Sequence, residues 1–124
     1  MHGPTYMGNA LACAAANASL DLFEKEPRLD QVAALETLMH KEMQRFHELP
    51  NIADVRVKGA IGVVEFKEID WNTIFAMREF FIEQGAWLRP FGNVLYLMPS
   101  FTISEPEIKL LIDVMEKAVK KFTK

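Results

Sequence analysis

The sequence predicts an α+β domain, an antiparallel sheet of two hairpins covered by helices, with elements in the order ααββαββα. Two segments, VRVKGAIGVVEF and WLRPFGNVLYLM, each place strand-forming residues on both sides of a glycine-containing break. Stretches with apolar residues at helical spacing precede, separate and follow them. Alternation of hairpins with helices, rather than of single strands with helices, favours an antiparallel sheet with its helices gathered on one face.

Each element has a local cause. Asn9 to about Glu24 is rich in alanine, the best helix former, and Pro27 stops it by disfavouring helical geometry at Glu26. From Asp30 to about Glu48, the residues Val32, Leu35, Met39, Met43 and Phe46 recur at three- and four-residue spacing on one stripe, and Pro50 closes the segment. Val55 and Val57 alternate with Arg56 and Lys58, Gly59-Ala60 breaks the run, and Ile61 to Phe66 resumes it as a second strand. Asp70 is placed to cap a third helix carrying Trp71, Ile74, Phe75, Arg78, Phe81 and Ile82, which Gly85 ends. Ala86 to Arg89 and Val94 to Met98 read as strands around a turn at Phe91-Gly92-Asn93. Ser104 and Glu107 have the spacing of a capping box before Ile108, Leu111, Ile112, Met115, Val119 and Phe122.

Composition narrows the class. A chain of 124 residues that is 50% hydrophobic and 25% charged can bury a sizeable core as one unit. Its net charge of -3, with scattered basic residues, offers no basic face for nucleic acid or an anionic membrane. The apolar run from Ala10 to Ala16 is too short to span a bilayer, and the opening residues lack the order of a signal peptide, so a cytoplasmic location is expected. Cys13, the single cysteine, reads as a small buried apolar residue among alanines. The surrounding alanines cover most of helix one with small side chains, a surface that neighbours can approach closely on several sides.

Two stretches carry candidate chemistry. In the opening loop Gly3 permits close approach of a ligand, Pro4 fixes φ, and Thr5 offers a hydroxyl ahead of a helix N-terminus, an arrangement able to hold a phosphate. Taken alone, it reads first as a turn feeding a helix. Arg89 is expected at a strand end, before Pro90, with Trp87, Leu88, Phe91 and Tyr96 around it. There a guanidinium presents a fork to a carboxylate, and apolar surroundings make an unpaired charge costly.

HGPTYMGNALACAAANASLDL and LRPFGNVLYLMPSF, with VRVKGAIGVVEF between them, closely resemble the C-terminal portion of the diaminopelargonate aminotransferases, class III enzymes of biotin synthesis that depend on pyridoxal phosphate. The resemblance covers essentially the whole chain. It implies a fold-type-I homodimer with active sites at the subunit interface, taking S-adenosylmethionine and the keto acid 8-amino-7-oxononanoate as substrates. It further implies that Pro4 and Thr5 touch the cofactor phosphate of the neighbouring subunit, that Gly3 lies by the substrate, and that Arg89 binds the keto acid carboxylate. On this reading residues 1–26 form an interface loop and helix that pack on the large domain, and residues 27–124 form the C-terminal small domain. The cofactor lysine and the aspartate at the pyridine nitrogen belong upstream in such enzymes, so the chain alone is expected to be inactive, with no catalytic residue of its own.

Two positions depart from the family pattern: Ala10 where proline is expected after Gly8-Asn9, and Ser100 where a second proline follows Met98-Pro99. Proline in a first helical turn only preorganises the chain, so Ala10 is a mild change. Other chemistry is thin. His40 and His47 are seven residues apart, two turns rather than the one turn of a helical metal pair, and no metal site is expected. His2 adjoins the loop as a flexible terminal residue, while Glu65, Glu68 and Asp70 read as solvated charges. Lys117, Lys120, Lys121 and Lys124 complement the negative end of the last helix. Two alternatives stay open: another class III transaminase of ω-amino-acid or ornithine type, and a free-standing module that uses Arg89 to hold a carboxylate.

Overall fold

A computed structural model describes Gly3 and residues 7–123. The elements are α1 (Ala10–Lys25), α2 (Arg28–Met43), a 3-10 segment (Gln44–Glu48), β1 (Ile52–Lys58), β2 (Ile61–Phe66), α3 (Trp71–Glu83), β3 (Arg89–Phe91), β4 (Val94–Leu97) and α4 (Glu105–Phe122). The expected class and element order hold. The four strands pair antiparallel throughout, in the order β1-β2-β4-β3.

Both hairpins close through two-residue turns, with Lys58 opposite Ile61 and Phe91 opposite Val94. Gly59 and Gly92 take the first central position of each turn with φ of 55° and 56°, a backbone state that matches the twist of the flanking strands and suits glycine. Because side chains alternate along a strand, these turns decide which residues share a face. Val55 and Val57, Gly62, Val64 and Phe66, Pro90, and Leu95 and Leu97 face the helices, where Val64, Phe66, Leu95 and Leu97 are buried.

The helices close over that face with apolar stripes. α2 and the 3-10 segment contribute Leu35, Met39, Met43 and Phe46, α3 contributes Met77 and Phe81, and α4 contributes Ile108, Ile112, Met115 and Val119, all in one core. Full burial of each large side chain is worth roughly 1.5–3 kcal/mol relative to exposure, so this layer supplies the main driving force. α4 opens with the expected capping pair, in which Glu107 Oε2 accepts from Ser104 N at 2.9 Å and from Ser104 Oγ at 2.6 Å. At the start of α3, Asp70 Oδ1 accepts from the backbone N–H groups of Asn72 at 2.8 Å and Thr73 at 3.1 Å, as a helix cap should.

Four expectations need correction. The second helix does not run to Glu48: it ends at Met43 and tightens into the 3-10 segment, which turns Phe46 fully into the core. The third strand is Arg89–Phe91 rather than Ala86 to Arg89, because Ala86 N–H donates to Phe81 O at 2.8 Å and completes the end of α3 instead of joining the ladder. On α3 the buried residues are Ile74, Met77 and Phe81, whereas Trp71, Phe75 and Ile82 are exposed. Their spacing is equally helical, and periodicity cannot say which of two apolar stripes meets the sheet. Cys13 is exposed, because no residue of α1 is buried among the described residues.

Asn51 joins the 3-10 segment to β1 with φ of 62°. Its Nδ2 donates to Glu68 O at 2.6 Å, and its Oδ1 accepts from Glu68 N–H at 3.2 Å, tying the start of β1 to the exit of β2. Asn51→Ala removes both bonds and leaves a less suited residue in the left-handed region, so it should lower unfolding stability by roughly 2 kcal/mol. Asn51→Gly keeps the backbone state and should cost about 1 kcal/mol less than alanine. Denaturant midpoints of the two variants check the difference; equal losses would mean that the backbone state contributes nothing.

Candidate functional site

The face of the sheet turned away from the helices is set by the same registers. Arg89 stands opposite Tyr96, Tyr96 opposite Val63 and Val63 opposite Arg56, so the four form a row across all strands. Beside it runs a second row, Phe91, Val94, Glu65 and Asp54.

The two arginines at the ends of the first row have different surroundings. Arg56 Nη1 donates to Asp54 Oδ2 at 2.8 Å and to Glu65 Oε2 at 2.6 Å. These bonds hold the Arg56 guanidinium above its ordinary value and hold the Asp54 carboxyl below the usual carboxylate range. Glu65, expected as a solvated charge, also accepts from Asn93 Nδ2 at 3.2 Å, so an acid–amide chain fastens β1 and β2 to the turn beyond β3.

The side chain of Arg89 has no hydrogen-bond or ion-pair partner among the described residues, and its guanidinium carbon lies 5.3 Å from the centre of the Trp87 ring. Each of the other four arginines has one: Arg28 pairs with Glu26, Arg45 with Asp113 and Glu116, Arg56 with its two acids, and Arg78 with the carbonyl of Pro90. Two surface depressions of about 350 and 400 Å³ meet at Trp87, Leu88 and Arg89. Tyr96, Met98 and Ile103 extend the second, while Arg78 and Ile82 line the first. An unengaged planar fork between largely apolar walls can take a carboxylate while a neighbouring wall covers an apolar body.

The reasoning expected of Arg89 changes accordingly. It opens β3 rather than ending a strand, and it is exposed, so desolvation does not tax its charge within these residues. What sets it apart is the lack of a partner. Gly3 is described but not brought to it: among the described residues no atom of Arg89 lies within 4 Å of where a Cβ on Gly3 would stand, whereas Met7 Sδ lies at 3.2 Å. Pro4 and Thr5, the expected phosphate contacts, and His2 lie outside the described residues. His40 and His47 are exposed, and no group of three or more metal-ligating side chains occurs among the described residues. Sequence reasoning missed Arg78 and Glu65, whose partners are 12 and 28 positions away in the chain. No helix among the described residues is long and apolar enough to cross a membrane.

A four-stranded antiparallel sheet with helices on one face defines an α+β unit, whose other face carries an arginine side chain unpaired among the described residues. Residues 1–119 match the aminotransferase class-III family, and the chain belongs to that family. It is 42% identical over 119 residues to the adenosylmethionine-8-amino-7-oxononanoate aminotransferase of Buchnera aphidicola subsp. Schizaphis graminum, covering 96% of this chain and 27% of the relative. The enzyme of that name from Methanocaldococcus jannaschii has a crystal structure that superposes with a TM-score of 0.87 at 35% identity, over 99% of this chain and 30% of that one. An (S)-enantioselective ω-transaminase from Thermomicrobium roseum superposes with a TM-score of 0.89 at 26% identity, over 100% of this chain and 30% of its own. The chain thus spans a little over a quarter of the length of the curated relative.

Family membership implies pyridoxal 5'-phosphate as the cofactor of the complete enzyme. Such a cofactor is held as a Schiff base on a lysine amine. Apart from Lys109, every described lysine is exposed. Lys109 Nζ donates to Glu105 Oε1 at 2.6 Å, which holds the ammonium above its ordinary value and makes it a poorer nucleophile.

The Arg56 bridge gives a pH-dependent prediction. A carboxylate held below its unfolded value adds stability above that value and loses it as pH falls through the folded one, so the Asp54 contribution should fade on the acid side. In Arg56→Gln the Asp54 midpoint, followed by carboxyl-carbon resonance in a pH titration, should rise toward the ordinary carboxylate range. An unmoved midpoint would show that the bridge is not what lowers it.

Proposed function

We propose that this chain is the C-terminal part of a pyridoxal-phosphate-dependent class III aminotransferase that moves an amino group from S-adenosylmethionine to 8-amino-7-oxononanoate in biotin formation, with Arg89 receiving the keto acid carboxylate. The observation that carries the reading is the open guanidinium of Arg89, unpaired among the described residues and flanked by apolar depressions. The names of the Buchnera and Methanocaldococcus relatives support the substrate pair.

In this reading residues 1–26 pack on the large domain and residues 27–124 form the small domain of a cytoplasmic homodimer. α1, with Leu11, Leu20 and Phe23 exposed, supports a covered position for the first segment. Pro4 and Thr5 hold the cofactor phosphate of the neighbouring subunit, and Gly3 lies against the substrate. When bound, the cofactor supplies the electron sink for amino transfer, and the group that anchors it comes from elsewhere in the polypeptide. The work of this chain is binding and orientation: the Arg89 fork fixes one end of the keto acid, which sets where its reacting carbonyl stands. A second reading, an ω-amino-acid transaminase, is favoured by the superposition on the Thermomicrobium enzyme. Amino-donor and acceptor profiles separate the two.

Arg89→Lys in the complete enzyme keeps the charge and loses the planar fork, so the keto acid KM should rise by about ten- to a hundredfold with cofactor affinity unchanged. An unchanged KM removes Arg89 from the site. The 124-residue chain mixed with pyridoxal phosphate should retain no stoichiometric visible absorbance after dialysis and should transfer no amino group. Retained cofactor, or turnover abolished by replacing one lysine, would instead make it a self-sufficient enzyme.

A further inference from the structure

We infer that Arg78 is a positioning residue for the carboxylate site: it clamps the edge strand that carries Arg89 onto α3 and so fixes where the Arg89 fork stands. The inference rests on the reading of Arg89 given above and adds a residue to it.

β3 is only three residues long and lies at the edge of the sheet, with β4 as its one strand neighbour. A strand of that length has few ladder bonds to hold it, because its central residue, Pro90, stands at a position whose backbone groups face away from β4. Arg89 and Phe91 stand opposite Tyr96 and Val94, flanking the closing turn, so alternation in the antiparallel ladder turns the Pro90 carbonyl away from β4 to the open edge. There it accepts a hydrogen bond from Arg78 Nη2 at 3.2 Å, in a part-buried setting. The guanidinium of Arg78 is itself steadied on its own helix, with its central carbon 5.4 Å from the centre of the Phe75 ring.

The bond therefore links the third turn of α3 to the residue directly after Arg89. Arg78 and Arg89 also line the same depression, together with Ile82, Trp87 and Leu88. Arg89 itself has only the Trp87 ring as a side-chain contact of this kind, so the position of its fork follows the backbone at 89–91. Buried face contacts of Leu88 and Pro90 fix that backbone on one side, and the Arg78 bond fixes it along the edge. Release of the bond leaves the charge of Arg89 intact but lets the fork wander, an effect on binding rather than on the charge available.

The test is a double-mutant cycle in the complete holoenzyme, with Arg78→Met, Arg78→Lys, Arg89→Met and the Arg78→Met/Arg89→Met pair. Arg78→Met should raise the keto acid KM about five- to tenfold and change kcat less than twofold, as expected for lost orientation in binding. Arg78→Lys, which retains a donor, should restore most of the affinity. The double variant should bind the keto acid no worse than Arg89→Met alone, since a positioning residue has nothing left to position. Amide exchange in peptides spanning residues 86–97 should quicken in Arg78→Met and recover in Arg78→Lys, a readout independent of turnover. An unchanged KM in Arg78→Met, or additive losses in the double variant, overturns the inference. If Arg89→Met itself leaves the KM unchanged, the reading of Arg89 has failed and this inference with it, an outcome distinguishable because the first failure leaves Arg89→Met impaired. Should Arg78→Met not fold, Arg78→Gln, a shorter neutral donor, replaces it in the same cycle.

Discussion

The contact on which the arrangement turns is that of Met43 with Gly62. A Cβ placed on Gly62 would stand 2.6 Å from Met43 Sδ and 3.2 Å from its Cε, so the thioether fills the space that a side chain would otherwise take. The absence of that side chain lets the end of α2 lie directly on the start of β2, and the same methionine, fully buried, meets the rest of the core. Gly62 must then face the helices, and alternation sends Val63 to the other side. With Val63 outward, its partners Arg56 and Tyr96 are outward too, and Arg89 follows from Tyr96. A slip of one residue at this contact would drive two arginines into the core.

The electrostatics of the open face follow from that placement. Glu65 and Asp54 neutralise Arg56, and they sit on strands that the turn at Gly59-Ala60 forces into register with it. No acid reaches the far end of the row among the described residues, so the row is compensated at its Arg56 end and cationic at its Arg89 end. Along this row an anion meets its unpaired cation at Arg89. That asymmetry gives direction to a ligand with one charged end, because its apolar remainder has Trp87, Tyr96 and Met98 as walls and no second cation of the row to compete for it.

Much of this was legible in the chain. Period-two segments around Gly59 and Gly92 gave away both hairpins, and Ser104 with Glu107 marked the start of α4, because each depends on residues within one turn of one another. Arg89 stood out through its neighbours Trp87, Pro90 and Phe91. What escaped notice depends on distance in sequence. The choice between two apolar stripes on α3 is decided by the sheet, the break of α2 at Met43 by the demand to bury Phe46, and the start of β3 by the bond from Ala86 to Phe81. That Arg89 is the unengaged arginine could not be read locally either, since the partners of Arg45 and Arg56 come from α4 and β2. Cys13 shows the reverse: alanine-rich surroundings suggest burial, although no residue of α1 is buried among the described residues.

Pro90 has a consequence for how copies of such a domain meet. At one edge of the sheet it offers no N–H and its carbonyl is occupied by Arg78. At the other edge, β1 carries an irregularity between Ile52 and Asp54 and sets Asp54, Arg56 and Lys58 outward in alternation. A foreign strand seeking to extend the sheet finds a missing donor on one side and a bent, charged rim on the other, the devices by which β proteins avoid ribbon-like growth. Backbone templating is thereby disfavoured at both edges, and the apolar residues left open to contact, such as Trp71, Phe75 and Ile82, present side chains rather than a free ladder.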